Sequence, residues 1–304
     1  MKINYFWDEK HKFAIKAAIK AKRPLLVRGE PGVGKSTLAK AAAFNLLNRY
    51  YISETVTACT EPNDLLWQFD AVQRLGDAQV SKPGSTITLD KEKYIAPGIL
   101  WWAYQPEEAL KRYGYCSGGC SPSIKIMEEL RIGNENSESD SESRPKGWVV
   151  LIDEIDKADA NVPNSLLEAF AENSFTVPYL KKAVELDKNW DQPLIIITSN
   201  EDRQLPPAFL RRCFALHMEI PEELDEAVKW LLDRAEACSD IDVDPKALED
   251  LAVKVVEDRK RSSGPHRPGL SEFLDLARVF SLSPNSSSAE LGENFSFVLQ
   301  KNAR

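Results

Sequence analysis

The chain has 304 residues, enough for about two domains and a substantial buried core. Its hydrophobic fraction of 43% and charged fraction of 28% are those of a globular protein, and no apolar run approaches the roughly 18 residues of a membrane span. A net charge of −8 and a pI near 5.2 remove the whole-domain basic footprint of a nucleic-acid binder and argue against a nucleic-acid partner. The five cysteines are odd in number and scattered, which suits reduced thiols better than a disulfide framework. The first residues, MKINYFWD, lack the apolar core of a secretion signal, so the expected location is the cytoplasm.

In chain order, residues 9 to 21 set Phe13, Ala14, Ala17, Ala18 and Ile19 among lysines, the pattern of an amphipathic helix. A short apolar run at 24–27 reads as a buried strand entering a glycine loop. Residues 36 to 48 are rich in Ala, Leu and Lys with no breaker, hence helical. Residues 51 to 58 alternate like a second strand. The runs at 148–152 and 194–198 are apolar throughout and end in polar residues, as strands covered on both faces do. With helical segments between them, they predict an α/β domain with a parallel sheet over residues 1–220. Residues 221 to 304 carry helical patterns without apolar strand runs and read as a smaller helical domain. An insertion is expected at about 84–146, ending in the polar, acidic stretch GNENSESDSESR, a disordered loop over about 133–145.

The glycine loop is Gly29-Glu30-Pro31-Gly32-Val33-Gly34-Lys35-Ser36, followed by Thr37, and fits G-x-x-x-x-G-K-[ST] in full. A strand precedes it and a helix follows, the context the motif requires. Glycines let the backbone wrap closely, so amide N–H groups converge on phosphate oxygens at a helix N-terminus. Lys35 then neutralises the outer phosphates of ATP, and the Ser36 hydroxyl is a Mg2+ ligand.

The second constellation closes the strand at 148–152 with Asp153 and Glu154, at the carboxyl edge where α/β sheets bind ligands. Asp153 is assigned to the Mg2+ shell and Glu154 to activating a water against the terminal phosphate. The third is Asn200, ending the strand at 194–198. Its amide can orient that water, although an Asn in a turn is also common.

With these three in order, the chain resembles the AAA+ ATPases, in particular the MoxR-like branch. GEPGVGKST at 29–37 matches Walker A, VVLIDEID at 149–156 matches Walker B, and IITSN at 196–200 corresponds to sensor 1. LPPAFLRRC at 205–213 and KADANVPNSLLEAFAENSFTVP at 157–178 are also similar to that branch. The resemblance implies a P-loop NTPase sheet flanked by helices with a small C-terminal helical lid. It assigns Asn200 to sensor 1 and makes Arg212, with Arg211 beside it, the arginine finger that reaches a neighbouring subunit's phosphate. Arg267, in PHRPGLSEFL, is its sensor 2 candidate. Tyr5 or Phe6 is placed at the adenine pocket. The run Arg259-Lys260-Arg261 reads instead as solvated surface.

The function so implied is hydrolysis of Mg-ATP by a ring oligomer, hexameric by family habit, that remodels a protein client. A von Willebrand A domain protein is the partner type the resemblance suggests. Two alternatives stay open: a nucleotide-switched scaffold with slow turnover, and a P-loop small-molecule kinase using the same cradle. Cys116 and Cys120 have no second Cys/His pair at ligand spacing, which discounts a structural zinc. Trp101 and Trp102 read as core aromatics rather than stacking platforms.

Overall fold

The computed structural model describes residues 2–80, 90–113, 121–122, 126–127, 145–180, 183–262 and 267–282. The chain runs α1 (Glu9–Ala21), β1 (Leu25–Arg28), α2 (Lys35–Ala41), β2 (Tyr50–Thr55), β3 (Trp67–Phe69), α3 (Ala71–Val80), β4 (Ile95–Pro97), α4 (Ile99–Tyr104), α5 (Pro106–Tyr113) and β5 (Trp148–Asp153). It continues through α6 (Asn161–Glu172), β6 (Ser174–Phe175), β7 (Val184–Glu185), β8 (Leu194–Ser199), α7 (Pro207–Leu210) and β9 (Phe214–His217). From there the elements described are helices: α8 (Leu224–Glu236), α9 (Pro245–Arg261) and α10 (Leu270–Leu282).

Strands β2, β5, β8, β1 and β9 form one sheet in that spatial order, every pair parallel. Two-residue alternation divides each strand between two apolar clusters. Val150, Ile152, Ile195, Ile197 and Leu26 enter one cluster; Val149, Leu151, Leu194, Ile196, Leu25 and Val27 enter the other. The first is filled by Trp101, Trp102 and Tyr104, all fully buried, together with Phe170 and Phe209. The second is covered by Ile15 and Leu38 and runs on into Leu231, Leu251, Val255 and Phe273 of the C-terminal helices. Both faces are therefore dry, which is why β5 and β8 read as continuous apolar runs.

Several boundaries moved for identifiable reasons. Strand β2 stops at Thr55 rather than near residue 58 because its partner β5 ends at Asp153, leaving one last bond from Val56 N–H to the Asp153 carbonyl. The helix after the loop starts at Lys35 and widens into a π-helical stretch, Ala42–Leu47, closed by Asn48 in the left-handed region. The N-terminal helix buries His11, Ile15 and Ala18, while Phe13 is 74% exposed. Two residues on from His11 is about 200° around the helix, so Phe13 faces away. The edge strand β9 was not anticipated, because its apolar run, Phe214-Ala215-Leu216, is short and only Leu216 of its four residues is buried.

Within the stretch expected as an insertion, β4 pairs antiparallel with the earlier strand β3, and α4 packs into the core under the sheet. The acidic loop at 133–145 lies outside the described residues apart from Pro145, as do Cys116 and Cys120. No helix among the described residues is long and apolar enough to cross a membrane. Because Trp101 sits fully buried beneath the sheet, Trp101→Ala is expected to remove about 3–5 kcal/mol of stability. Urea unfolding of the two proteins measures it, as a lower midpoint at unchanged slope.

Candidate functional site

The site starts where β1 gives way to the glycine loop. Gly29 has φ 146, and a Cβ there would lie 2.1 Å from the Met218 carbonyl oxygen, so β9 and the loop approach each other only through glycine. Gly34, at φ 96, turns the chain into α2. Lys35 opens that helix and is only 6% exposed. Its ammonium donates to the carbonyls of Gly29 (2.7 Å) and Glu30 (2.9 Å) and to Asn200 Oδ1 (2.7 Å), which uses all three of its protons. Burial pushes its pKa down, and the nearby carboxylates of Asp153, Asp156, Glu154 and Asp202 push it back up.

Ser36 Oγ lies 3.0 and 2.9 Å from the two carboxylate oxygens of Asp153. A hydroxyl and a carboxylate already in contact beside the phosphate cradle are the hard oxygen donors that Mg2+ prefers, so the residues present fit that ion. Thr198, fully buried, donates to Asp153 Oδ1 and accepts from the Glu154 N–H at 2.9 Å. That second bond holds Glu154 in the left-handed region, φ 60 and ψ 46. The conformation costs a non-glycine residue about 1–2 kcal/mol. It turns the Glu154 carboxylate toward Asn200, whose Nδ2 donates to Oε1 at 3.2 Å, while Lys157 donates to Oε2. The Lys157 bond is the main reason the Glu154 pKa lies below the usual carboxylate range, with Asn200 and Lys35 adding to it and burial opposing.

Asp156 is 1% exposed and accepts from the N–H groups of Asn200 (3.1 Å) and Asp202 (2.9 Å). It fixes the loop that carries Asn200. Sequence reasoning assigned nothing to Thr198, Asp156 or Lys157; the only available signal was that all three belong to, or follow, the strand-end motifs already singled out.

A cleft of about 320 Å3 extends from Lys35, Ser36, Asp153, Glu154 and Asn200 between the N-terminal segment and the C-terminal helices. Its far end is lined by Asn4, Tyr5, Phe6, Met218, Arg234, Leu270 and Leu274. Both Tyr5 and Phe6 therefore line it. The Arg234 guanidinium lies 5.1 Å from the Phe6 ring centre and 3.4 Å from that of Trp230, and burial pulls its pKa down to about 10. The Tyr5 hydroxyl is 3.0 Å from His11 Nδ1, which ties this segment to α1.

The other candidates are placed differently. Arg211 and Arg212 are exposed after α7 and do not line this cleft; Arg212 donates to the Ala208 carbonyl at 3.2 Å. Arg267 is exposed in a second cleft of about 570 Å3 on the other flank of the loop, with Glu30, Arg259 and Lys260. Arg259 corrects the reading of its run as solvated surface. It is only 15% exposed and pairs with Glu30 Oε2 at 2.6 Å, because the end of α9 packs beside the glycine loop.

A glycine loop between a parallel strand and a helix, with carboxylates ending the strand two positions away, defines a P-loop nucleotide-binding fold of the AAA+ type. The sequence profile of the AAA domain (dynein-related subfamily) matches residues 24–213, and the chain belongs to that family of nucleotide-binding ATPases. Among solved structures, a mutant RuvB of Thermotoga maritima aligns with 95% of this chain and 68% of its own, at 12% identity and a TM-score of 0.46. Comparison with curated proteins yields no match.

The Tyr5–His11 contact predicts a pH dependence. Burial is the main cause holding the His11 pKa below its usual value, helped by Arg234 and Lys10 and opposed by Asp8. Above about pH 6.5 the imidazole is neutral in both folded and unfolded chains and contributes no pH dependence. As pH falls below that, the unfolded chain takes up the proton first, so stability falls. Urea midpoints between pH 7.5 and 5.5 are expected to drop for the wild type and to drop less for His11→Gln.

Proposed function

We propose that the chain is a MoxR-like AAA+ ATPase that binds and hydrolyses Mg-ATP as a ring oligomer and uses the turnover to remodel a protein partner. The observation that carries the reading is the unbroken contact from Lys35 through Asn200 to Glu154, which joins the phosphate cradle to the candidate water-activating carboxylate. The loop amides and Lys35 seat the phosphates, the ammonium exchanging the Gly29 and Glu30 carbonyls for phosphate oxygen. Ser36 and Asp153 would hold Mg2+, which supplies charge neutralisation to the phosphates when bound. Asn200, released from Lys35, orients a water. Glu154 takes the proton of that water as its oxygen bonds to the terminal phosphorus and the bridging oxygen departs with the diphosphate.

Arg211 and Arg212 serve in trans. Their exposure, away from their own chain's cleft, suits a group that reaches the phosphate of a neighbouring protomer in a hexameric ring. The MoxR-like assignment rests on the motif series of the sequence, and the partner class follows it: a protein client, with a von Willebrand A domain protein as the first to try. A cytoplasmic location accords with Cys59, Cys213 and Cys238 being free thiols. One observation favours a slow, nucleotide-switched scaffold instead: Glu154 is engaged at both oxygens in this state. Negligible wild-type turnover at ring-forming concentrations would select that second reading.

Glu154→Gln is expected to lower phosphate release by about 10²–10⁴ while ATP still binds. Equal rates for the two proteins would remove Glu154 from that role. Native mass measurements with and without ATP should give a nucleotide-dependent ring for the wild type and Arg212→Ala alike, with hydrolysis collapsing in the variant. A fully active wild-type monomer would exclude the trans role.

A further inference from the structure

The far end of the cleft holds a buried charge that takes no part in seating the phosphates. Arg234, on α8, is only 9% exposed and lines that end with Asn4, Tyr5 and Phe6. Its guanidinium lies 3.4 Å from the Trp230 ring centre and 5.1 Å from that of Phe6. Nη1 donates to the Trp230 carbonyl at 2.9 Å. Asp8 and Asp233 favour its charge through space, but no carboxylate of the described residues pairs with it. A guanidinium carries five N–H donors, and burying it is costly unless acceptors meet them. Because the group lines the cleft, a bound ligand can supply those acceptors.

We propose that Arg234 reads the base of the nucleotide and that the cleft takes purines with a carbonyl at C6, so that GTP and ITP are substrates at least as readily as ATP. This rests on the nucleotide reading above and names the substrate class of that site. With the phosphates seated at Lys35, the opposite end of the cleft meets the base. Met218, Leu270 and Leu274 give that end apolar walls, which suit a flat heterocycle. Guanine and hypoxanthine present two adjacent acceptors, O6 and N7, to a fork of two parallel N–H groups. Adenine presents N7 beside its N6 amino group, which is a donor. Against adenine the fork therefore satisfies one N–H and sets another against an amino group. Stacking on Trp230 already holds the guanidinium in one plane, so little side-chain freedom is lost when the base arrives.

Calorimetric titration of the full chain with nucleoside diphosphates, which carry the same bases without the terminal phosphate, tests the proposal. The wild type is expected to bind GDP and IDP alike, and at least as tightly as ADP. The 7-deaza analogue of GDP, which lacks the N7 acceptor, should bind about tenfold more weakly than GDP, the value of one charge-assisted hydrogen bond. The 2′-deoxy analogue should match GDP. Arg234→Met should lower the preference for GDP over ADP about tenfold, and Arg234→Lys, which keeps the charge without the fork, should not restore it. Phosphate release from GTP should proceed with kcat/KM no lower than from ATP. Tighter binding of ADP than of GDP by the wild type overturns the proposal. So does 7-deaza-GDP binding as tightly as GDP, or an unchanged GDP-to-ADP ratio in Arg234→Met. Equal weakening of the 2′-deoxy forms of GDP and ADP would place the fork on the ribose, which also overturns it. Should Arg234→Met fail to fold, the analogue series on the wild type decides alone. A wild type that binds no nucleotide sinks the nucleotide reading itself, an outcome distinct from any of these.

Discussion

A buried ammonium at the end of a sheet dictates much of this architecture. Removing a lysine charge from water is costly unless its protons are all hydrogen-bonded and compensating charge lies near. Lys35 satisfies both conditions with groups from three places: two carbonyls of the glycine loop, the amide of Asn200 after β8, and carboxylates after β5. The loop must curl back on itself to present those carbonyls, and glycine makes the curl possible. The two strand ends must flank the loop, which fixes the order of the central strands.

Strand order does the rest of the positioning. With β8 between β1 and β5, and all three parallel, their carboxyl ends open on one edge. Asp153 leaves β5 next to Ser36, Glu154 turns at a left-handed residue toward Asn200, and Thr198 bonds to both strand-end acids. Asp156 then fastens the Asn200 loop by two backbone N–H groups. Each group is rigid because it hangs on a strand buried on both faces. The Trp101–Trp102 helix supports the site from under one face, while the C-terminal helices cover the other and also line the cleft through Arg234, Leu270 and Leu274.

The central strands and the helix after the loop were legible because each is marked by contiguous residues: an apolar run, a breaker, a run of helix formers. The edge strand Phe214–His217 was not, since its apolar run is short and only Leu216 is buried. The hairpin pairing Trp67–Phe69 with Ile95–Pro97 was not either, because its two short strands are joined across a long stretch of sequence. Phe13 misled for a related reason. Apolar character placed it on a buried face, whereas the helix turns on His11, Ile15 and Ala18.

By itself the sequence determined the cradle from Gly29 to Ser36 and the strand-end groups Asp153, Glu154 and Asn200, along with the parallel α/β sheet that carries them. Those features are local: a glycine spacing, a strand ending in acids, a strand ending in an amide. Tertiary structure alone decided how they meet and which neighbours matter. It put Asn200 between Lys35 and Glu154, gave Asp156 the Asn200 loop to hold, and placed Arg259 against Glu30. The physical reason is that a charge's role depends on its burial and its partner. Three basic residues in a row at 259–261 look alike in sequence, yet only packing α9 against the loop removes Arg259 from solvent and pairs it with the phosphate cradle.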